Sequence, residues 1–394
     1  MESYAEVAFR KGYMKSADLE ATSVRISEPH FCRCESGPER TVEHIAKVLA
    51  AGRFAAYLLL ALLATSCGSG SASPPPPSAG PPPFPLVLVS DVGLPGAATR
   101  FDYQEIDVAN GHLVIAHMGD DSVVIVQLSD GSTVKVLPSI PTPRGVAVAD
   151  DVGRIFVTSS GTLNQLVIID STALTEIARV PTGNSPDGVG WDSVHQTVGV
   201  SDQGDGAISL IAGSGSGVRT AVPLGIETGN VVFDATRDRF WITVVNASPP
   251  DQLVAVDPVT ASVITRIDLP GCGGAHGLRL HPNGQSALVA CEVNSVLVRV
   301  DLATPTNIVT APVGNAPDVL SIDSVHDWLY VAAESGDLTV FDLGKPGLVN
   351  VDSEHVDNTA HTVAVDAATH RVFFPLEAGS QGTPVLRIMR PAAN

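Results

Sequence analysis

From Leu86 to the C-terminus the chain alternates apolar and polar residues in short runs separated by Gly, Asp, Asn or Pro. After Ser185-Pro186 the runs read DGVGWD, TVGVSD, AISLIAG and VRTAVPL. After Ala275 they read HGLRLH, SALVACE, SVLVRVD and NIVTAPV. A period of two, punctuated this way, predicts short half-buried or buried strands. Each group holds four such strands.

The groups repeat. One phrase, a small or polar residue followed by alternating apolar positions and usually an Asp, recurs as DYQEID from Asp102, RGVAVA from Arg144, DGVGWD from Asp187, GNVVFD from Gly229, HGLRLH from His276, DVLSID from Asp318 and HTVAVD from His361. The spacings run from 42 to 47 residues and average about 43. Four strands per unit of this length predict an all-β fold, a seven-bladed β-propeller over residues 86–394. The last unit offers only three strands, HTVAVD, RVFFPLE and PVLRIMR. Leu86–Pro95 (LVLVSDVGLP) reads as the missing outer strand, so the N-terminal strand closes the ring and leaves no open sheet edge.

Gly183-Asn184-Ser185-Pro186-Asp187 and Gly314-Asn315-Ala316-Pro317-Asp318 each lead into an inner strand, and Ile155–Ser159 and Leu329–Ala333 approximate a YVTN phrase without reproducing it. These units resemble the YVTN or YncE-like seven-bladed propellers. The resemblance covers about 310 residues and implies the fold. It implies little about function, because such propellers include binding proteins, lactonase-like and lyase-like enzymes and cofactor-enzyme scaffolds.

The front of the chain follows a different pattern. Phe54–Ala64 (FAAYLLLALLA) carries no charge and is too short to cross a bilayer, while Lys47 and Arg53 precede it, as in a secretory signal. Thr65-Ser66-Cys67-Gly68 resembles the lipobox of bacterial lipoproteins, which implies lipidation of Cys67; Ala64 stands where Leu is usual. Residues 1–66 therefore read as leader and signal. Residues 1–50, with Cys32 and Cys34, suit a start assigned too far upstream. Residues 67–85 form a Pro-rich tether, with eight prolines in the 15 positions from 71 to 85. At about 3.1 Å per residue in polyproline II it could reach roughly 50 Å. The expectation is an exported protein of the cell envelope, at the outer membrane or periplasmic face, touching membrane only through its lipid.

Composition narrows the functional classes. Of 394 residues, 36 are Gly and 29 Pro, and 16% are charged, which argues against a coiled coil or helical solenoid. The net charge is −19. Residues 1–66 hold 8 basic and 8 acidic side chains, so all of the excess belongs to the exported part. That balance disfavours a nucleic-acid partner. A monomer is expected.

The repeat also gathers candidate chemistry. The first residue of each inner strand should face one channel mouth, which makes a ring of Asp102, Arg144, Asp187, Gly229, His276, Asp318 and His361. The second strands return to that mouth near His117, Ser159, Asp202 and Cys291, with Asn246, Glu292, Glu334 and Glu377 as neighbours. The ligand-binding candidates are Asp102, His117, Arg144, Asp187, His276, Asp318 and His361. His276, Asp318, His361 and Asp102 are candidate ligands for a divalent metal such as zinc or manganese. A solvated polar rim explains the same residues without any ligand. Arg144 suits a carboxylate or phosphate, or else pairs with Asp102 or Asp187. Asp107, Asp192, Asp234, Asp323 and Asp366, with His195, His326 and His370, fall in the far-mouth turns and read as turn caps. Cys272 and Cys291 fall at adjacent strand ends and are expected to form a disulfide in an exported protein.

No phosphate-binding Gly loop, GxSxG or His-Glu-x-x-His occurs. The residues point to a binding module for a small molecule or protein partner. The alternative is a metal-dependent hydrolase, lactonase or lyase at the same mouth.

Overall fold

The structure is a computed structural model that describes residues 84–392. The leader, the signal, Cys67, Cys32 and Cys34, and all but the last two tether residues lie outside the described residues.

Seven four-stranded antiparallel sheets make the seven blades of a β-propeller. Blade 1 runs outward through β2 (Gln104–Asp107), β3 (His112–His117), β4 (Ser122–Gln127) and β5 (Thr133–Pro138). The inner strands of blades 2 to 6 are β6 (Pro143–Ala149), β10 (Pro186–Asp192), β14 (Glu227–Asp234), β18 (Ala275–Leu280) and β22 (Pro317–Asp323). Blade 7 orders β26 (Ala364–Asp366), β27 (Arg371–Leu376), β28 (Val385–Pro391) and, outermost, β1 (Leu86–Gly93). β1 pairs with β28 from Leu86↔Pro391 to Gly93↔Val385, and Arg387 grips Asp91 across the seam at 2.9 and 3.0 Å. The closing strand thus lies where the missing fourth strand of the last unit places it.

The core lies between blades. Val114 and Ile125 of blade 1 pack with Val146, Ile155 and Val157 of blade 2, and Phe240 of blade 4 packs with Ile208 and Leu210 of blade 3. Residues of the second and third strands face a neighbouring blade on both sides, which explains their near-continuous apolar runs. Truncating a fully buried ring such as Phe240 to Ala costs about 3–5 kcal/mol. Outer strands are largely exposed; in β1 only Leu86 is buried.

The inner strands share a distortion that builds the channel. In β6, β10, β14, β18 and β22 the ladder to the second strand skips two residues, beginning at Arg144, Asp187, Gly229, His276 and Asp318 respectively. A bulge re-aims the side chain at the skipped position, so the ring residues leave the blade plane and turn to the axis. The carbonyls freed there find hydroxyl donors: Thr158 Oγ1 donates to the Asp187 carbonyl at 2.6 Å, and Thr243 Oγ1 to the His276 carbonyl at 2.6 Å. Inner strands also approach closely at this level. A Cβ on Gly277 would lie 2.1 Å from the Asp318 carbonyl oxygen, and one on Gly229 would lie 2.6 Å from His276 backbone.

Asp102 and His361 depart from the expected placement. They precede β2 and β26 rather than opening them, because both inner strands begin two or three residues later. The disulfide is present: Cys272 and Cys291 are joined, with Cα atoms 5.3 Å apart, and Cys291 pairs in the ladder with Ala275. It ties the 270–274 loop to the end of the second strand of blade 5.

Candidate functional site

The bulges bring Asp187, His276 and Asp318 to one mouth, where Asp102 and His361, from the segments before β2 and β26, join them, all of them buried. Blade 4 contributes only Gly229 at this level. With no side chain there, His276 reaches past it, placing Nε2 3.4 Å from Asp187 Oδ2 and 3.5 Å from Asp318 Oδ1. Arg144 NH1 donates to Gln203 Oε1 at 3.0 Å and lies 3.8 Å from Asp187 Oδ1. Arg144 thus lies beside Asp187, and its charge acts on Asp102 as well.

Further participants lie off the seven-residue ring. Arg100, two residues before Asp102, clamps Glu334 with both terminal nitrogens at 2.7 and 3.0 Å, and its NH2 lies 3.9 Å from Asp318. Tyr103 follows Asp102 and crosses the axis. Its hydroxyl donates to Asp318 Oδ1 at 3.3 Å and accepts from the Asn230 amide. Glycines at 145, 188 and 277 let neighbouring inner strands approach: a Cβ there would lie 2.2 Å from the Asp187 carbonyl oxygen, 2.6 Å from Asn230 Oδ1 and 2.1 Å from the Asp318 carbonyl oxygen. Beneath Tyr103 lies a cavity of about 20 Å³, on the scale of one water, lined in part by it and by Asn230, Leu278, Arg279 and Leu320. Further down, Arg279 donates to Glu105 at 2.9 Å and to the Leu320 carbonyl at 2.9 Å. The mouth therefore has a polar floor rather than opening into a wide tube.

The carboxylates here outnumber the cations, and burial shapes their protonation. Burial pushes the Asp318 carboxyl up to about 8, against the opposing pull of His276. Burial raises Asp102 to about 6, with Arg100 pulling the other way. Burial lowers His361 to about 4, reinforced by the positive charge of Arg100, so its ring is neutral. His361 Nε2 donates to the Phe101 carbonyl at 2.9 Å. Burial opposes the charge on Arg100, but the bonds to Glu334 and the charges of Asp102 and Asp318 keep it protonated. Burial also raises the Tyr103 hydroxyl, which stays a hydrogen-bond donor.

Two groups of donor atoms at this mouth lie within 4.8 Å of one another and share Asp318: His276, Glu292 and Asp318, and Asp318, Glu334 and His361. The expected quartet of His276, Asp318, His361 and Asp102 is thus regrouped, and Asp102 joins neither. The second group already faces the Arg100 guanidinium through Glu334, and its histidine already serves a carbonyl through Nε2. The first group offers one nitrogen and two carboxylates from blades 5 and 6, a mixed donor set that suits a divalent metal. Glu292 directly follows the disulfide-bonded Cys291.

His117 is not brought to the axis. It is buried, stacked on Phe101 at a centroid distance of 4.0 Å, with Nε2 3.2 Å from Thr99 Oγ1. The segment arriving from β1 covers it. Ser159 and Asp202 hold preceding loops instead: Ser159 Oγ donates to the Pro141 carbonyl, and Asp202 accepts from the Gly183 N–H at 2.8 Å. At the far mouth the turn aspartates cap as expected. Asp192 Oδ1 accepts from the N–H groups of Val194 and His195, and Asp107, Asp234, Asp323 and Asp366 accept turn N–H groups in the same way. Of the participants the sequence left unseen, Arg100 and Tyr103 flank Asp102 and Asn230 follows Gly229; adjacency to the ring was their only signal.

No family model matches the chain, and no curated protein matches it. Among solved structures it is similar to Kuenenia stuttgartiensis hydrazine synthase, at 15% identity and TM-score 0.64, over 78% of this chain and 99% of that one. It is similar to U3-55K at 8% identity and TM-score 0.63, over 76% and 98%. It is similar to streptogramin B lyase at 10% identity and TM-score 0.61, over 77% and 97%. These proteins differ widely from one another by name, and at such identities the likeness establishes the seven-bladed propeller fold alone.

Proposed function

We propose that the protein is an exported, lipid-anchored propeller of the YVTN/YncE-like kind. In this reading the mouth carrying His276 binds a divalent cation, and through it a small ligand. His276, Glu292 and Asp318 hold the cation, a mixed nitrogen and oxygen set that suits manganese or zinc. The observation that carries the reading is the convergence of these three donors within 4.8 Å, at a mouth where Asp102, Asp187, Asp318, Glu292 and Glu334 face Arg100 and Arg144. Burial favours the protonated forms of Asp102 and Asp318, and a divalent cation on Asp318 takes the place of its proton. Arg144 beside the site suits a carboxylate or phosphate on the ligand. The partner is a small molecule or a protein, nucleic acid is disfavoured by the acidic charge, and the protein acts as a monomer.

Two buried carboxyls held near neutrality favour a second reading, a metal-dependent lyase or hydrolase. Asp102 at about 6 and Asp318 at about 8 can exchange protons under physiological conditions. Streptogramin B lyase, a lyase by its name, has a propeller of this shape.

Metal analysis and equilibrium dialysis with Mn²⁺ and Zn²⁺ test the shared premise. Stoichiometric metal lost in His276→Ala and Asp318→Asn supports it; protein that binds neither ion at this mouth overturns it. Metal-dependent turnover of lactones or esters, abolished by His276→Ala, would select the enzyme. Intact mass of the exported protein should begin at Cys67 and carry acyl chains, and a mass starting at Met1 would sink the anchor. Single-stranded DNA should not bind at physiological salt.

A further inference from the structure

At the opposite end of the channel, the turns of blades 6 and 7 bring together Asp323, His326 and His370, which the mouth does not use. Asp323 is fully buried. Its Oδ1 accepts the N–H groups of Val325 and His326 at 3.0 and 3.3 Å, which aims Oδ2 outward. Onto that one oxygen converge His326 Nδ1 at 3.1 Å and His370 Nδ1 at 2.7 Å. The two imidazoles lie 4.0 Å apart by ring centroids, and Trp328 stacks on His326 at 5.0 Å, which fixes its orientation. The side chains of His326 and His370 are 18% and 28% exposed, so an ion can reach them.

A structural clasp alone does not require this pair. Between blades 3 and 4 the equivalent positions hold Asp192, His195 and Asp238, where one imidazole bridges two carboxylates at 2.8 and 3.5 Å. Between blades 5 and 6, His281 faces Asp327 at 3.8 Å. One histidine serves each of those boundaries. Blade 6 to blade 7 uses two, with both ring nitrogens on the same oxygen, and all three donor atoms lie within 4.8 Å of one another.

We propose that Asp323, His326 and His370 form a second divalent-metal site, of the zinc class, that staples blade 6 to blade 7. Two imidazole nitrogens and one carboxylate oxygen are a recognised donor set for zinc, and a water completes the tetrahedron. With Nδ1 on the ion, each ring keeps its hydrogen on Nε2. Neighbouring side chains hold the donors before the ion arrives, an arrangement that raises affinity. The location gives the staple a purpose. β26 spans only three residues, the shortest strand among those described, and blade 7 is the blade completed by the N-terminal strand.

The test uses untagged full-length protein stripped of metal and titrated calorimetrically with Zn²⁺. The Asp318→Asn variant, which disables the mouth, should still bind one equivalent. The double variant Asp318→Asn/His370→Asn should lose it. His195→Asn, at the blade 3 boundary, should keep it. Zinc should raise the melting temperature of Asp318→Asn and leave that of the double variant unchanged. Should Asp318→Asn fold poorly, His370→Asn in the wild-type background must bind one equivalent fewer than wild type. Failure of Asp318→Asn to bind zinc while folded, or unchanged binding after His370→Asn, overturns the proposal. Neither outcome depends on whether the mouth holds a metal.

Discussion

Raising the pH from 6 to 8 should strengthen Mn²⁺ binding at the mouth by about 50-fold. The perturbation acts on Asp318, the carboxyl shared by both donor groups, which burial holds near 8. A cation must displace the proton from this group before the oxygen can coordinate it. With a pKa of about 8, the carboxyl is ionised about 1% of the time at pH 6 and half of the time at pH 8, and affinity follows that ratio. Asp102, raised to about 6, adds no more than about a factor of two over the same window. Above pH 8 the affinity should level off within about twofold, because little protonated Asp318 remains. Isothermal titration calorimetry at pH 6, 7 and 8, in paired buffers of different ionisation enthalpy, reads both affinity and proton release. About one proton per metal should leave at pH 6, falling to about half at pH 8. Asp318→Asn should bind weakly at every pH with no such slope. Affinity constant across this range, or binding without proton release at pH 6, would refute the assignment of Asp318 as a ligand held protonated by burial.

The same protonation should show in stability. Asp318 binds its proton more tightly folded than unfolded, so its contribution is fully present below about 4 and lost as the pH rises through about 8. Metal-free protein should therefore melt at a lower temperature at pH 8 than at pH 6, and Asp318→Asn should flatten the difference in differential scanning calorimetry. Replacing both Cys272 and Cys291 by Ser opens a loop of sequence separation 19 and should cost about 3 kcal/mol in urea denaturation. It should also weaken Mn²⁺ binding, since Glu292 follows Cys291; affinity equal to wild type would show that the bond does not position Glu292. Gly277→Ala drives a Cβ to within 2.1 Å of the Asp318 carbonyl and should destabilise by about 1–3 kcal/mol while lowering metal affinity. A thermally silent Gly277→Ala variant would mean that the inner strands are not packed as closely as this.

The sequence by itself determined the propeller, its closure and the disulfide. Every blade is built from neighbouring antiparallel strands joined by short turns, so its apolar alternation and punctuation are local and repeat with the chain. The closing strand was legible because the last unit lacks one strand and the front of the domain has one to spare. The ring of Asp187, His276 and Asp318 followed from counting, since equal positions in successive blades meet at the axis. Tertiary structure alone decided the rest of the mouth. Bulges in β6, β10, β14, β18 and β22 turn those repeat positions to the axis, but which side chains they meet there is set by other blades. Tyr103 meets Asn230 and Asp318 across the axis, 127 and 215 residues away in the chain. Arg100 meets Glu334 from 234 residues away. His117 satisfied the count but turned to Phe101, because the segment that closes the ring packs over blade 1. The number of blades is set by local hydrogen bonding and burial. The chemistry at the axis is set by side chains from distant blades competing for the same few ångströms, and no repeat length encodes that outcome.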